Sequence, residues 1–205
     1  MVTHEAQTRV DVAFPLAGEA IPMDHGYALF SALSRVLGDG LHGADWLAVH
    51  PVRGIPRQDG TLALKRHALA LQLRVVPAQI PAILPLAGRS LEVLGRELLV
   101  GSSRLFALRP SASLFARTVV IKGFMDEGPF REAVARQLAE RGVKARVELG
   151  RRRVVNIAGD RVVGFAVALH DLNEADSLTA QNVGVGGRQR FGCGVFVPTA
   201  PAKEA

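Results

Sequence analysis

The chain has a single cysteine, Cys193, in 205 residues. That excludes an internal disulfide framework and a cysteine-built zinc site. No apolar run approaches the roughly 20 residues a bilayer-spanning helix needs. The opening MVTHEAQTRV lacks the basic and apolar regions of a secretory signal, so a cytoplasmic location is expected. Lysine is scarce, so arginine supplies most of the 25 basic residues. Aromatic residues make up only 5% of the chain, which leaves little surface on which flat ligands could stack in series.

Against these absences stand 48% hydrophobic and 21% charged residues, the balance of a folded protein with a real core. The length suits one large domain or two of about 100 residues. The net charge is +6. Arginine presents a planar fork of donors that can grip a phosphate through two hydrogen bonds and stack on a base. An arginine-dominated basic protein therefore fits a nucleic-acid partner. Codon bias in a GC-rich genome would produce the same excess, and composition alone does not separate the two.

Periodicity supplies the architecture. Val10, Val12, Phe14 and Leu16 alternate with polar or small residues, a half-buried strand over 9–16. Asp24 is placed to cap a helix over about 25–37 with a stripe of Leu29, Leu33, Val36 and Leu37, ended by Gly38-Asp39-Gly40. Tyr27, Ser31 and Ser34 share a different, polar face. Strands are expected at 46–52 and 68–76, a short helix from Gln79 to Ala87, and a strand or hairpin at 90–100. The order then restarts. A strand at 114–121 precedes a helix over 129–141, with Pro129 in its first turn and Phe130, Val134 and Leu138 on its apolar face. Alternation from Val143 to Leu149 leads into RRRVVNI, a turn at Gly159-Asp160, a strand through Val163 to Leu169, a helical stretch at 174–181 and a last strand at 191–197. The fold class this predicts is α+β, with tandem ferredoxin-like βαββαβ units of the kind used by RNA-recognition modules. The units are expected over 1–105 and 106–205, with a boundary near 102–113.

Two segments carry candidate binding chemistry. GVGGRQRFGCG at 184–194 holds Gly184, Gly186, Gly187, Gly192 and Gly194, with Arg188, Arg190 and Phe191 between them. Such a loop can turn successive N–H groups toward an anion, or simply pack closely against its neighbours. It lacks the Gly-Lys-Ser/Thr of a P-loop, and a strand rather than a helix is expected after it. Arg151, Arg152 and Arg153 are expected at a hairpin, either gripping phosphates or forming a solvated turn.

A glycine-rich loop near the C-terminus, running into the last strand of a second ferredoxin-like unit, resembles the signature of the RAMP superfamily of CRISPR-associated proteins. GRRRVVNIAGDRVVGFAVALHDLNEADSLTAQNVGVGGRQRFGCGVFVP resembles the C-terminal half of Cas family six, which cuts CRISPR repeat RNA. IPMDHGYALFSALSRVL and LHGADWLAVHPVRG resemble the N-terminal unit of its variant named after myxobacteria. The resemblance covers nearly the whole chain. It implies an endoribonuclease that works without a metal or cofactor: a 2′-hydroxyl attacks the adjacent phosphate beside a repeat stem-loop, leaving a 2′,3′-cyclic phosphate and a 5′-hydroxyl. It also implies possible association with other subunits of a guide-RNA effector complex. The low aromatic content favours gripping a stem over reading a long single strand.

That reaction needs a proton acceptor, a proton donor and positive charge at the phosphorane, and histidine suits either proton role. His42 falls where many relatives carry their general base. Tyr27, the one tyrosine, lies at the helix start, as in relatives that use a Tyr with a His; packing under the loop is the other reading. His25 is a further candidate with capping as its alternative, and His50 is a weaker one, within a strand. His4, His67 and His170 are expected to be peripheral or structural. No lysine stands where some relatives have one, and Arg53 is the substitute. The spacing of the histidines matches no metal motif. A RAMP-fold subunit that holds guide RNA without cutting it shares every basic and glycine feature and differs only at the histidines. An unrelated small-molecule enzyme on the same fold is a third possibility.

Overall fold

The computed structural model describes residues 8–64 and 70–199, and these divide into two compact units. The first unit contains β1 (Val10–Ala17), β2 (Ala20–Pro22), α1 (Gly26–Leu37), β3 (Leu47–Val49), β4 (Ile55–Pro56), β5 (Thr61–Ala63), β6 (Ala70–Val75), α2 (Ile80–Ile83), β7 (Ser90–Val93), β8 (Arg96–Val100) and β9 (Arg104–Ala107). The second contains β10 (Leu114–Val119), α3 (Glu127–Ala139), most of β11 (Arg146–Ile157) and β12 (Asp160–His170), α4 (Glu174–Val183) and β13 (Val197–Pro198). By its packing, Asn156–Asp160 and Arg190–Gly192 belong to the first unit, whose main span closes at Ala107.

Each unit is ferredoxin-like. In the first, the main sheet runs β3-β6-β1-β8-β7, and β9 also pairs with β1. The β1–β6 register sets Val12 opposite Leu73 and Phe14 opposite Leu71, so one face is continuously apolar. Leu29, Phe30 and Leu33 of α1 complete that core. Gly38, at φ 89°, ends α1, its N–H bonding Ser34 O at 2.8 Å. In the second, the sheet runs β11-β12-β10-β13. Phe130, Ala133, Val134 and Leu138 of α3 pack there with Phe165 of β12; the Phe130 and Phe165 rings are 4.7 Å apart. Asn173 caps α4, its side chain accepting from the Asp176 N–H. Among the described residues no helix is long and apolar enough to cross a membrane.

One face of the first sheet carries buried charge. Arg74 is 1% exposed. Its Nε donates to Asp11 Oδ1 at 2.8 Å and its Nη2 to Asp11 Oδ2 at 3.0 Å. Gln72 Nε2 donates to Oδ2 at 2.9 Å, and His50 Nε2 lies 3.1 Å from Oδ1. Burial opposes a charge on Asp11, but the hydrogen bonds from His50 and Arg74 outweigh it and hold the carboxyl well below the usual carboxylate range. Burial pushes His50 below the usual imidazole range, although its bond to Asp11 opposes that. A neutral His50 donating to an ionised Asp11 meets both conditions.

Several elements differ from their sequence expectation. The strand expected at 46–52 narrows to Leu47–Val49, with one further backbone bond from the His50 N–H to Gln72 O at 2.9 Å. Gln79–Ala87 is one α-helical turn between two 3-10 turns, because Pro77, Pro81 and Pro85 remove backbone donors every four residues. The last strand shrinks to Val197–Pro198, and residues 189–191 form a 3-10 turn instead. Asp24 does not cap α1, whose N-cap is His25 without a side-chain bond. The arginine run lies within β11 rather than at the turn. Ala158 and Gly159, both with positive φ, make that turn, as a two-residue hairpin loop requires. Residues 65–69, which include His67 and the start of the strand expected at 68–76, lie outside the described residues, as does His4.

Candidate active site

Five side chains of the first unit form a connected surface cluster. Tyr27 is in the first turn of α1 and 38% exposed. Its ring meets the edge of Phe191 at 5.5 Å. Phe191 meets Phe30 at 5.1 Å, and Phe30 meets His42 at 5.7 Å. His42, just past the 3-10 turn Asp39–Leu41, is exposed. Arg190 lies over the Phe30 ring at 5.5 Å and over Phe191 at 6.0 Å, and its Nη1 donates to Leu41 O at 2.9 Å. Tyr27 and His42 therefore stand at two ends of one aromatic ladder, in edge-on geometries aromatic rings favour.

The backbone holds this ladder closely. A Cβ on Gly26 would lie 2.2 Å from Phe191 O, and one on Gly192 would lie 3.3 Å from Pro51 Cγ. Residues 190–192 thus pack closely on the start of α1, where only glycine leaves room at Gly26, and on Pro51, where Gly192 also supplies a φ of 82°. The N-terminal end of α1 has no acidic residue in its first turn and no side-chain cap. Its partial positive charge favours an anion.

The other sequence-selected residues fall differently. His25 is buried, and both its ring nitrogens are engaged: Nε2 accepts from the Val52 N–H at 3.0 Å, so Nδ1 carries the proton and donates to Pro22 O at 2.8 Å. It ties the start of α1 to the segment after β3. His50 is also buried, in the Asp11 network. His25 thus has no ring nitrogen left for a ligand, and His50 commits its Nε2 to Asp11. Arg53 is exposed, one residue beyond the Val52 that bonds His25. His170 belongs to the second unit, with Nδ1 3.1 Å from Ser113 Oγ and Nε2 3.2 Å from Glu148.

The glycine loop spends most of its freedom on packing. Gly184, Gly186, Gly192 and Gly194 all have positive φ. Added Cβ atoms would lie 2.5 Å from Gly194 O at Gly184, 2.3 Å from Val120 O at Gly186 and 2.1 Å from Val185 O at Gly194. The protein's own carbonyls occupy those positions. A Cβ added to Gly187 would meet nothing within 4 Å, although its N–H donates to Val120 O at 2.9 Å; with exposed Arg188 at φ 67° it forms the open tip. In β11, strand alternation puts Arg151 and Arg153 on one face and Arg152 on the other. Sequence reasoning missed Phe30 as the link between Tyr27 and His42, because its helical stripe reads simply as core. It read Asp24 as a helix cap and missed its actual partner: Oδ2 accepts from the Asn156 N–H at 2.7 Å and from Asn156 Nδ2 at 3.0 Å, and no local pattern connects residues so far apart.

Comparison with known proteins sets this cluster in context. The family model described as "Cas6 Crispr" matches residues 10–201. The chain is 44% identical over 193 residues to the CRISPR-associated endonuclease Cas6 of Myxococcus xanthus (strain DK1622), covering 94% of this chain and 83% of that protein. A solved CRISPR-associated protein Cas6 superposes with a TM-score of 0.67 at 14% identity, over 94% of this chain and all of the other. A Cas6-related protein from Pyrococcus furiosus gives 0.66 at 13%, over 94% and 99%. Thermus thermophilus Cse3, bound to an RNA representing a pre-cleavage complex, gives 0.53 at 15%, over 94% and 100%. At these identities the structures show a shared fold.

Proposed function

Since the chain belongs to the Cas6 family, we propose that it is a metal-independent endoribonuclease that cuts CRISPR precursor RNA within repeats, next to a stem-loop, to make guide RNAs. The observation that carries this reading is the pairing of Tyr27 with His42: both exposed, both anchored through Phe30 and Phe191, and both beside a basic loop.

In this reading His42 accepts the proton of the 2′-hydroxyl. The 2′-oxygen bonds to phosphorus, the bond from phosphorus to the 5′-oxygen breaks, and Tyr27 gives its phenolic proton to that departing oxygen. The products are a 2′,3′-cyclic phosphate and a 5′-hydroxyl, and exchange with solvent resets both side chains. Positioned proton transfer of this kind contributes about 10²–10⁴-fold to rate. Arg53 is the cation that the family resemblance offers for the phosphorane. His25 and His50 act by holding the segments on which Tyr27 and Arg53 sit. Gly187 and Arg188 at the loop tip, with Arg151, Arg152 and Arg153 of β11, contact the RNA backbone. A-form RNA is read largely through such contacts.

The test is incubation with repeat RNA in EDTA. Cleavage to 5′-hydroxyl and cyclic-phosphate ends is expected, with His42→Ala slowing it at least about 100-fold and Tyr27→Phe about 10-fold or more. Uncut RNA, 5′-phosphate products or unimpaired variants would refute the reading. Unimpaired binding by a protein that never cuts would instead identify a guide-RNA scaffold.

A further inference from the structure

The glycine loop's guanidinium has an environment that the backbone-contact role does not explain. Arg190 is half-buried over Phe30 and Phe191. Among the described residues its guanidinium makes one hydrogen bond, from Nη1 to Leu41 O, and no ion pair with a carboxylate. Guanidinium carries five donors, so most remain for a ligand. A partly desolvated cation with no counter-charge is an electrostatic site for an anion. The Leu41 bond fixes it one residue from His42, and Phe191 ties its own segment to Tyr27.

We propose that Arg190 is a catalytic residue of this site, donating to the non-bridging oxygens of the scissile phosphate and stabilising the charge that builds on them in the phosphorane. The assignment rests on the reading of Tyr27 and His42 given above. It places the phosphate next to Arg190, which is oriented by a backbone bond and two ring faces, rather than next to Arg53, for which neither restraint is seen. Charge that is already oriented before the reaction stabilises a transition state most effectively. The guanidinium fork matches a phosphate's oxygens in a way a lysine ammonium cannot.

The experiment measures single-turnover cleavage of repeat RNA and, separately, affinity for the same RNA carrying a 2′-deoxy substitution at the cut site. Arg190→Ala is expected to slow cleavage about 10²–10³-fold while weakening affinity by less than about tenfold. A phosphorothioate at the scissile phosphate gives the second readout. Wild type should prefer one stereoisomer, and Arg190→Ala should lose that preference, which a merely structural role for Arg190 would leave intact. Arg190→Lys keeps an aliphatic stem over the rings and a charge. It carries the test if thermal melting shows the Ala variant unfolded, and it should recover part of the rate with a reduced stereoisomer preference. Wild-type cleavage by either variant, equal losses in rate and affinity, or an unchanged phosphorothioate preference would overturn the assignment. These outcomes leave His42 essential. If His42→Ala also cuts normally, the site reading fails first and the role of Arg190 fails with it.

Discussion

Replacing Asp11 with Asn keeps the side chain's shape and removes its charge. In the native sheet Asp11 accepts four hydrogen bonds: one each from His50 and Gln72, and two from Arg74. An amide has one oxygen where the carboxylate has two. Whichever way it turns, two of those donors face an NH₂ group. Arg74, at 1% exposed, also loses its two charge-assisted bonds to Asp11. Breaking a buried pair from one side costs about 3–5 kcal/mol. At about 2–4 °C per kcal/mol for a chain of this size, Asp11→Asn should lower the melting temperature by about 6–20 °C. Scanning calorimetry or dichroism-monitored melting measures this directly. Combining it with Arg74→Met should recover roughly half the loss or more, since an apolar substitute for a buried pair is often neutral. A loss below about 1 kcal/mol, or no recovery in the double variant, would mean Arg74 is solvated and the network is not the strut described above.

Acid should weaken the same network. Both Asp11 and His50 titrate below their ordinary values in the folded protein. The unfolded chain therefore takes up protons first, and stability falls as pH drops: below about 6.5 for His50 and below about 3.9 for Asp11. Melting temperature should decline from pH 7 to pH 5, and His50→Gln should flatten that decline; an equally steep decline in the variant would place the sensitivity elsewhere. Gly26→Ala should behave in the opposite way to Asp11→Asn. Alanine is the better helix former by about 1 kcal/mol, but its Cβ would lie 2.2 Å from Phe191 O and must displace residues 190–192. Cleavage of repeat RNA should drop about 10²-fold, the cost of a misplacement near 1 Å, while the melting temperature changes little. Full activity in that variant would show that the placement of Phe191 does not matter to the site.

The sequence was most legible where a pattern repeats. Alternation along Val10–Leu16 and the stripe Leu29–Leu33 are local, and the sheet and α1 follow them. Ends were less legible. The strand expected over 191–197 survives only at its end, Val197–Pro198, because tertiary packing of Arg190 and Phe191 on α1 overrode local alternation at its start. Tyr27 and His42 stood out because their types are rare here and because of the family resemblance. The link between them did not, since Phe30 and Phe191 look like any buried aromatics until the fold brings them together. His25 and His50 show the reverse: their chemistry is visible in the sequence, but burial and partner geometry decide how it is used.

The placement of residues 190–192 also bears on how the protein is made. Tyr27 and His42 are translated well before Phe191, the ring that joins Tyr27 to Phe30, and Arg190, which bonds the carbonyl before His42 from 149 residues further along the chain. A nascent chain still missing them has Tyr27 and His42 but not the ladder that fixes them. Fragments that stall or are clipped before Arg190 should accordingly lack the assembled cluster, so that synthesis through Phe191 acts as the licence for the site.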